Sequence, residues 1–502
     1  MGIKTLLVLS ISFLAFSANA TEYIVKFKDQ KTFNALFSNV KTMASSDITE
    51  VHYTGNIARV EVSEQFALSE KSRLESIEGV EYVIKNYRLE AFKADHTPLT
   101  TLRDQYANVI TKVEEAWAAA GNNGSRAVKV AVIDTGVDYN HESLKANMLS
   151  GYDFAKDDSD PMDETSFQNP GHGTHCAGSV GSTGTVNNGT QGASPTVSII
   201  PIRFLDEKGG GDLMNAVKAI DFAIEQGAHI MSNSWGAEVS ADQAQPITEA
   251  IQRALDAGII FTAAAANSSK NNDSANFYPT NTPLSNVISV AATDANDNLA
   301  SFSNYGVHRV DIAAPGVDIM STTPKNKYQN LSGTSMATPF VSGAVAFLLA
   351  QDMDLTPQEI EALIQSTGDQ IEGLQVACNC RINVLNAFNA IKENSAYFVP
   401  STTYVNPGST KTFYVKNMDV AEYTSSNTEA ATIDAEGVLT AVANGETVLT
   451  AKDAAGNTVS SLTIRISDLS DVGNGDGGGG GSCPFDPQMC AIICPIMPDL
   501  CQ

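Results

Sequence analysis

The stretch VKVAVIDTGVDYNHES, residues 128–143, runs from a continuous apolar segment into the triplet Asp134-Thr135-Gly136. Such a segment is typical of a strand buried on both faces of a parallel sheet, and the carboxyl end of that strand is where α/β folds expose functional groups. The triplet has two chemical interpretations. It is either half of an aspartic dyad, in which two carboxylates share one proton, or the group that orients a histidine beside a nucleophilic serine.

Two further segments decide between these interpretations. GHGTHCAGSVG places His172 at the start of a small-residue helix, and NLSGTSMATPFVSG places Ser335 behind a tight turn at the head of an apolar helix, where the helix dipole favours negative charge. The 502 residues hold no second Asp-Thr-Gly or Asp-Ser-Gly triplet for an aspartic dyad. A metal site built on His172 and His175 lacks a further ligand and an HExxH motif. We therefore predict that Asp134, His172 and Ser335 act together.

These three segments carry a family resemblance. VIDTGVD, HGTHCAG and GTSMATPFVSG resemble, in this order, the catalytic signatures of the subtilisin-like serine proteases (subtilases), over about residues 104–390. The resemblance implies that Ser335 attacks the scissile carbonyl, that His172 moves the proton and that Asp134 orients His172. It also implies an oxyanion donor after the strand IIFTAAAA, which is Asn267. Ala266 stands where the family usually has glycine. No catalytic cofactor is implied.

The resemblance also indicates where substrate binds, because extended peptides add to the edges of strands. One flanking segment would be SNSWG, which resembles a wall of the S1 pocket and contains Ser234, Trp235 and Gly236. The other would be EKGGGD, which resembles the opposite strand and contains Gly209, Gly210 and Gly211. The glycines have an alternative interpretation as a turn before a helix capped by Asp212. Phe277 resembles the residue at the base of the S1 pocket, where its bulk would make the pocket shallow.

The loop YDFAKDDSDPMDE is rich in carboxylates, which suit the hard cation Ca²⁺. A similar loop binds calcium in thermitase-like subtilases, and Asp153, Asp158 and Asp160 fall at matching offsets. Lys156 and Met162 replace two oxygen donors of that pattern. We predict a structural calcium site at the three aspartates; the alternative is a solvated acidic loop.

The order of apolar and helical segments predicts the fold class. From about residue 104 to 390, buried-strand segments such as VSIIPIRFL and VISVAAT alternate with helical segments that end in glycine, which predicts an α/β fold with a doubly wound, mainly parallel sheet. Residues 21–92 alternate strand-like runs (EYIVKF, ARVEV and VEYVIKNYRLEAF) with helix-like runs (KTFNALFSNV and EQFALSEKSRLESI), which predicts a small α+β unit. After residue 397 short strands separated by turn residues predict a β-sandwich.

The outer units also resemble known modules. Residues 21–95 resemble the inhibitory propeptide of subtilases, with autocleavage expected near residues 90–103. Residues 398–467 resemble a bacterial immunoglobulin-like domain (group 2). We therefore predict a chain in six parts: signal peptide 1–20, propeptide 21–95, subtilisin-like catalytic domain 96–395, immunoglobulin-like β-sandwich 398–467, Gly-rich linker 468–482 and Cys-rich tail 483–502.

The N-terminus and the cysteines indicate export. Lys4, an apolar core and Ala18-Asn19-Ala20 form a secretory signal, and no later apolar run is long enough to span a membrane. The seven cysteines are an odd number, so we predict that Cys176 is a free, buried packing residue and that the four in the tail form two disulfides. A direct bridge between Cys378 and Cys380 would be strained at that separation.

The net charge of −26 argues against nucleic acid as a partner.

Together these features predict a secreted, extracellular serine endopeptidase. It would cleave polypeptides through an acyl-enzyme, and it would mature by losing a propeptide that first acts as its intramolecular inhibitor. The alternative function is a surface adhesin whose protease domain is inert or permanently inhibited.

Overall fold

The computed structural model of the chain describes residues 20–29, 31–32, 46–52, 56–92, 95–97, 105–184 and 189–467. The predicted linker, the Cys-rich tail and all but the last residue of the predicted signal peptide lie outside these ranges. In the described part of the chain, no helix is both long and apolar enough to cross a membrane.

The N-terminal unit is a four-stranded antiparallel sheet with the strand order β2-β3-β1-β4. Its elements are β1 (Ala20–Phe27), β2 (Ser46–His52), β3 (Ile57–Ser63), α1 (Ala67–Glu75) and β4 (Val80–Lys85). The unit has its own core, in which Leu74 of α1 packs with Val25, Val60 and Val83 of the sheet. β2 was not predicted, and most of the predicted helix KTFNALFSNV lies outside the described residues.

The predicted last strand of this unit, VEYVIKNYRLEAF, is two strands. It breaks at Asn86 and Tyr87, and its second half forms β5 (Arg88–Ala91), which leaves the N-terminal sheet and pairs with the central unit. A further short strand, β6 (Asp95–Thr97), also pairs with the central unit. Residues 88–91 and 95–97, which follow the N-terminal sheet, therefore pair with strands of the central unit.

The central unit contains fourteen strands and eight helices in the described residues. Its strands are β7 (Gly124–Asp134), β8 (Tyr152–Asp153), β9 (Thr196–Arg203), β10 (Gly210–Asp212), β11 (Ile230–Asn233), β12 (Trp235–Glu238), β13 (Ile260–Ala264), β14 (Phe277–Tyr278), β15 (Val287–Thr293), β16 (Ile312–Pro315), β17 (Ile319–Thr323) and β18 (Lys327–Ser332), followed by the short pair β19 (Asp369–Gln370) and β20 (Cys380–Arg381). Its helices are α2 (Tyr106–Ile110), α3 (Val113–Ala120), α4 (His172–Gly181), α5 (Leu213–Glu225), α6 (Gln245–Asp256), α7 (Thr334–Leu349), α8 (Pro357–Thr367) and α9 (Val384–Lys392).

Nine strands form one sheet in the order β19-β20-β16-β15-β13-β11-β7-β9-β8. All its pairings are parallel except that of β19 with β20. Every residue of β15 is buried, because helices cover both faces of a parallel sheet. One core lies with α4 and α7 on one face, and a second lies with α5 and α6 on the other. This confirms the predicted α/β class with a mainly parallel sheet.

The C-terminal unit is rich in strands and has a separate core around Phe413, Leu439, Leu449 and Ile464. Its strands are β21 (Tyr397–Val399), β22 (Tyr404–Val405), β23 (Thr410–Thr412), β24 (Tyr414–Lys416), β25 (Glu422–Ser425), β26 (Ala431–Ile433), β27 (Val438–Ala441), β28 (Gly445–Lys452) and β29 (Thr458–Ile466). The orders β22-β29-β28-β25 and β23-β27-β26 give two sheets, beside the pair β21-β24, which is consistent with the predicted β-sandwich.

Candidate active site

Asp134 and His172 are in direct contact at the carboxyl end of the central sheet. Asp134 is the last residue of β7 and His172 is the first residue of α4. His172 Nδ1 lies 2.8 Å from Asp134 Oδ1, which also accepts a hydrogen bond from the backbone N–H of Thr135. His172 Nε2 has no hydrogen-bond partner among the described residues. The histidine is thus held by one ring nitrogen, and the other is left for proton transfer.

Close packing between α4 and β7 makes this contact possible. A Cβ atom on Gly173 would lie 2.1 Å from the carbonyl oxygen of Gly136, so the helix can approach the strand end only with glycine here. Asp163 ties the two elements together by accepting hydrogen bonds from the N–H and hydroxyl of Thr174 and from the hydroxyl of Thr135. Burial raises the pKa of Asp163 to about 6, while these hydrogen bonds oppose the rise.

Sequence reasoning missed this role of Asp163. The residue was counted only among the carboxylates of the acidic loop. Its partners lie 11 and 28 residues away in the chain. No local pattern marks such contacts.

Ser335 lies in the first turn of α7 and is fully buried. Its hydroxyl is within hydrogen-bond distance of two carbonyl oxygens, that of Phe92 at 3.3 Å and that of Ser234 at 3.2 Å. Cys176 lies between the groups, with its Sγ 3.3 Å from the Ser335 carbonyl oxygen and 3.9 Å from His172 Nδ1. The three predicted residues therefore belong to one site. Cys176 is free and buried, as predicted.

Asn267 lies beside the start of α7. Its Oδ1 accepts hydrogen bonds from the N–H of Thr334 at 2.9 Å and from the Thr334 hydroxyl at 2.8 Å. This fixes the amide plane and directs the Nδ2 end toward Gly333, where an added Cβ would lie 3.1 Å from Nδ2. Ala266 has a φ of 93°, a backbone conformation in which glycine is favoured, at the position where the resemblance led us to expect glycine.

The cleft beside Ser335 holds a segment of the chain itself. β5 pairs antiparallel with β10 on one side, where Glu90 and Leu89 face Gly210 and Gly211, and with β12 on the other. The Ala91 N–H donates to the Gly209 carbonyl, and the Phe92 N–H donates to the Ser234 carbonyl. All six residues predicted to bind substrate backbone therefore border this strand: Gly209, Gly210, Gly211, Ser234, Trp235 and Gly236. Asp212 caps α5 through Asn215, so the alternative helix-cap role of this segment is also present.

The side chains of Phe92 and Leu89 enter the body of the central unit. Phe92, Gly236 and Phe277 border one cavity of about 490 Å³. A Cβ on Gly236 would lie 2.7 Å from Cζ of the Phe92 ring, so the ring packs directly on this wall. Leu89 is fully buried in the same core as Phe204 and Trp235. Neither residue was singled out from the sequence, although the expected cleavage region began at residue 90.

The pKa values of two histidines that are close together in the chain shift in opposite directions. Burial is the largest single effect and would lower the pKa of His172, but Asp134 and Cys176 together outweigh it and raise that pKa well above its ordinary value of 6.5. Burial lowers the pKa of His175 to about 3, and its Nε2 donates to the carbonyls of Ile319 and Gln329. His175 is therefore a neutral packing residue and not a metal ligand.

The predicted calcium ligands of the acidic loop contact other groups of the protein. Asp153 Oδ2 lies 3.1 Å from Nη1 of Arg203, and Asp153 Oδ1 accepts from two backbone N–H groups. Asp160 accepts from the Tyr139 hydroxyl. Among the described residues, the one group of three or more acidic, histidine or cysteine side chains close enough to share a metal ion is Asp134, His172 and Cys176, within the site above. Calcium binding at Asp153, Asp158 and Asp160 stays a prediction.

The structure also contains a disulfide between Cys378 and Cys380, with a Cα–Cα distance of 5.0 Å. It lies next to β20 at the edge of the central sheet. The four cysteines of the tail lie outside the described residues.

Comparisons with known proteins identify the family. Residues 125–389 match the Subtilase family. The chain is similar to the thermophilic serine proteinase of Bacillus sp. (strain AK1), with 35% identity over 74% of this chain and 87% of the relative. It is also similar to thermitase of Thermoactinomyces vulgaris, with 39% identity over 54% of this chain and 90% of the relative. The intracellular serine protease of Paenibacillus polymyxa is 36% identical over 53% of this chain and 82% of its own length. The chain therefore belongs to the subtilase family, and it is a subtilisin-like serine endopeptidase.

Proposed function

We propose that the protein is a secreted endopeptidase made as a self-inhibited precursor, and that it cleaves its own chain after Phe92. The contact between Ser335 and Phe92 carries this proposal, since the Ser335 Oγ lies 3.3 Å from the Phe92 carbonyl oxygen. β5 pairs as a substrate strand before that carbonyl, and β6 pairs with β18 after it. The chain thus passes Ser335 on both sides of one peptide bond, as a bound substrate would.

The mechanism is acyl transfer through a Ser-His-Asp triad. Ser335 Oγ attacks the Phe92 carbonyl carbon, and its proton passes to His172 Nε2. His172 then gives this proton to the nitrogen of the next residue, so the peptide bond breaks and Phe92 remains esterified to Ser335. Water, deprotonated by the same nitrogen, releases the acid and restores the serine. Asp134 stabilises the imidazolium, and Asn267 Nδ2 with the Ser335 N–H stabilises the oxyanion.

The N-terminal unit acts as the propeptide in this proposal. It is attached to the central unit by cations that face enzyme carboxylates: Lys26 lies 2.8 Å from Glu249, and Arg59 lies 2.8 Å from Asp212. With β5 in the cleft, these contacts support an inhibitor that stays bound until it is degraded. The C-terminal β-sandwich, an immunoglobulin-like module by resemblance, is not needed for the chemistry.

Labelling with a fluorophosphonate probe tests the proposal against an inert adhesin. Such a probe reacts with an activated serine, so matured wild-type protein should be labelled and Ser335→Ala should not. Ser274→Ala, which removes an exposed serine outside the cleft, is the matched control and should be labelled like wild type. Absence of label from matured wild-type protein would favour the adhesin.

A further inference from the structure

The first residue of β5 places a cation at the rim of the cleft. Phe92 is the residue before the cut bond in the proposed function, on which this inference rests, and Arg88 is the fifth residue before that bond. The pairing of β5 with β10 extends to this end of the strand, where Arg88 faces Asp212. The backbone of Arg88 is therefore held by the central unit in the same way as the residues next to the cut bond.

The guanidinium of Arg88 lies directly on the backbone of β10. A Cβ atom added to Gly210 would lie 1.6 Å from Nη2, 2.0 Å from Cζ and 2.3 Å from Nε of this arginine. The guanidinium thus occupies the space that a side chain at position 210 would fill. Glycine at this position leaves room for a long side chain on the fifth residue of a bound strand.

Asp206 offers one carboxylate oxygen to the same space. Its Oδ1 accepts hydrogen bonds from the backbone N–H of Lys208 at 2.8 Å and from that of Gly210 at 3.0 Å. Its Oδ2 lies 3.2 Å from Arg88 Nη2. Because Oδ1 is held by groups of its own turn, the carboxylate keeps its orientation whether or not a strand is bound. The second oxygen is therefore directed at the side chain of the fifth residue.

Glu90 is a second carboxylate near Arg88, but it belongs to the strand. Its Oε1 lies 3.8 Å from Arg88 Nε, and both side chains are more than half exposed. In a bound substrate these two groups would both be part of the peptide. Asp206 belongs to the central unit, so it is the partner that a substrate finds on the enzyme.

We propose that Asp206 and Gly210 form a subsite for a basic side chain on the fifth residue before the cut bond. Peptides with a cation at this position are then the better substrates. The ion pair is exposed to solvent, so its contribution to kcat/KM is about two- to fivefold at low salt. Salt screens such a pair, so the preference falls as the ionic strength rises.

Two peptides that differ in one charge test the subsite on the matured enzyme. The acetylated peptide RLEAF, residues 88–92, carries a chromogenic anilide at its C-terminus, and in the second peptide citrulline, a neutral isostere, replaces the arginine. Active enzyme is counted with the fluorophosphonate probe. We expect kcat/KM to be about two- to fivefold higher for the arginine peptide at about 10 mM salt, and nearly equal for both at about 1 M. Equal values for both peptides at low salt would overturn the subsite.

Asp206→Asn identifies the group that is responsible. It keeps an Oδ1 acceptor for the turn and removes the charge, so both peptides should be cut at equal rates. Glu207→Gln removes a carboxylate from the next residue and is the matched control, which should keep the wild-type preference. Full preference in Asp206→Asn, or its loss in both variants, would overturn the assignment and leave the cut after Phe92 in place. Failure of the wild type to release the anilide from either peptide would contradict both proposals.

Discussion

The Asn267 side chain has two ends with different contacts, and a single substitution separates them. Asn267→Asp keeps an oxygen for the Thr334 hydrogen bonds but removes the Nδ2 donor. We expect kcat to fall by about 10²–10³ with little change in KM, because the donor acts on the charge of the transition state. Steady-state kinetics of the matured enzyme measure this. A raised KM with unchanged kcat would contradict the role.

The pKa of His172 predicts the pH range of activity. A general base accepts a proton only when it is neutral, so activity rises with pH as the imidazole loses its proton. Asp134 and Cys176 raise the pKa of His172 well above 6.5, and the proposed removal of the N-terminal unit would relieve burial, the effect that lowers it. We expect the acid limb of the kcat/KM profile to have its midpoint above 6.5. A midpoint at or below that value would contradict this electrostatic account.

Sequence reasoning singled out the residues that the structure brings into one site, but not the groups that hold them. Asp134, His172 and Ser335 stand in long motifs whose order identifies a subtilase. Asp163 and Phe92 have no such local signal, because their positions follow from contacts with residues far away in the chain. Calcium binding at Asp153, Asp158 and Asp160 stays a prediction.

In the proposed function, inhibition and self-cleavage both depend on β5. Leu89 anchors it, since this side chain is fully buried beside Phe204 and Trp235. Leu89→Asp would place an unpaired carboxylate there, and burying such a group without a partner has a large free-energy cost. The strand should therefore leave the cleft. We expect conversion of the precursor to slow by about tenfold or more. The rate of precursor loss measures this effect.

Glu90→Gln is the matched control for this prediction, because the Glu90 side chain is 63% exposed. It should mature at the wild-type rate. Equal rates for Leu89→Asp and Glu90→Gln would contradict the anchoring role of Leu89.

The strands of the central sheet were predictable because burial on both faces gives them continuous apolar runs. β2, with the sequence SDITEVH, has no such run and forms only by pairing with β3. The break between β4 and β5 was not predictable either, since β5 is stabilised by partners in the central unit rather than by its own sequence. Tertiary pairing overrides local preference in both cases.

One of the contacts between the C-terminal unit and the catalytic unit involves a buried carboxylate. Glu359, at the start of α8, is 6% exposed; its Oε1 accepts from Lys416 Nζ at 2.7 Å and from the Tyr414 hydroxyl. Lys416→Met in the Ser335→Ala background should lower the free energy of unfolding by about 1–3 kcal/mol, because it removes a charged partner from a buried group. Differential scanning calorimetry and denaturant titration measure the loss.

Lys452→Met removes the comparable ion pair with Glu422 on the exposed surface of the same unit. This control should change stability by no more than about 0.5 kcal/mol. Equal effects of the two substitutions would show that the contact with α8 does not couple the units.

Across the whole molecule, we propose that Ser335 cuts its own chain after Phe92. The intact mass of purified wild-type protein beside Ser335→Ala, both expressed with export, tests it most directly. We predict that the wild type loses every residue up to and including Phe92, and that Ser335→Ala keeps its N-terminal unit in one continuous chain. The proposal would be contradicted if both proteins kept the N-terminal unit, if both were cut in the same way, or if the wild type were cut at another bond.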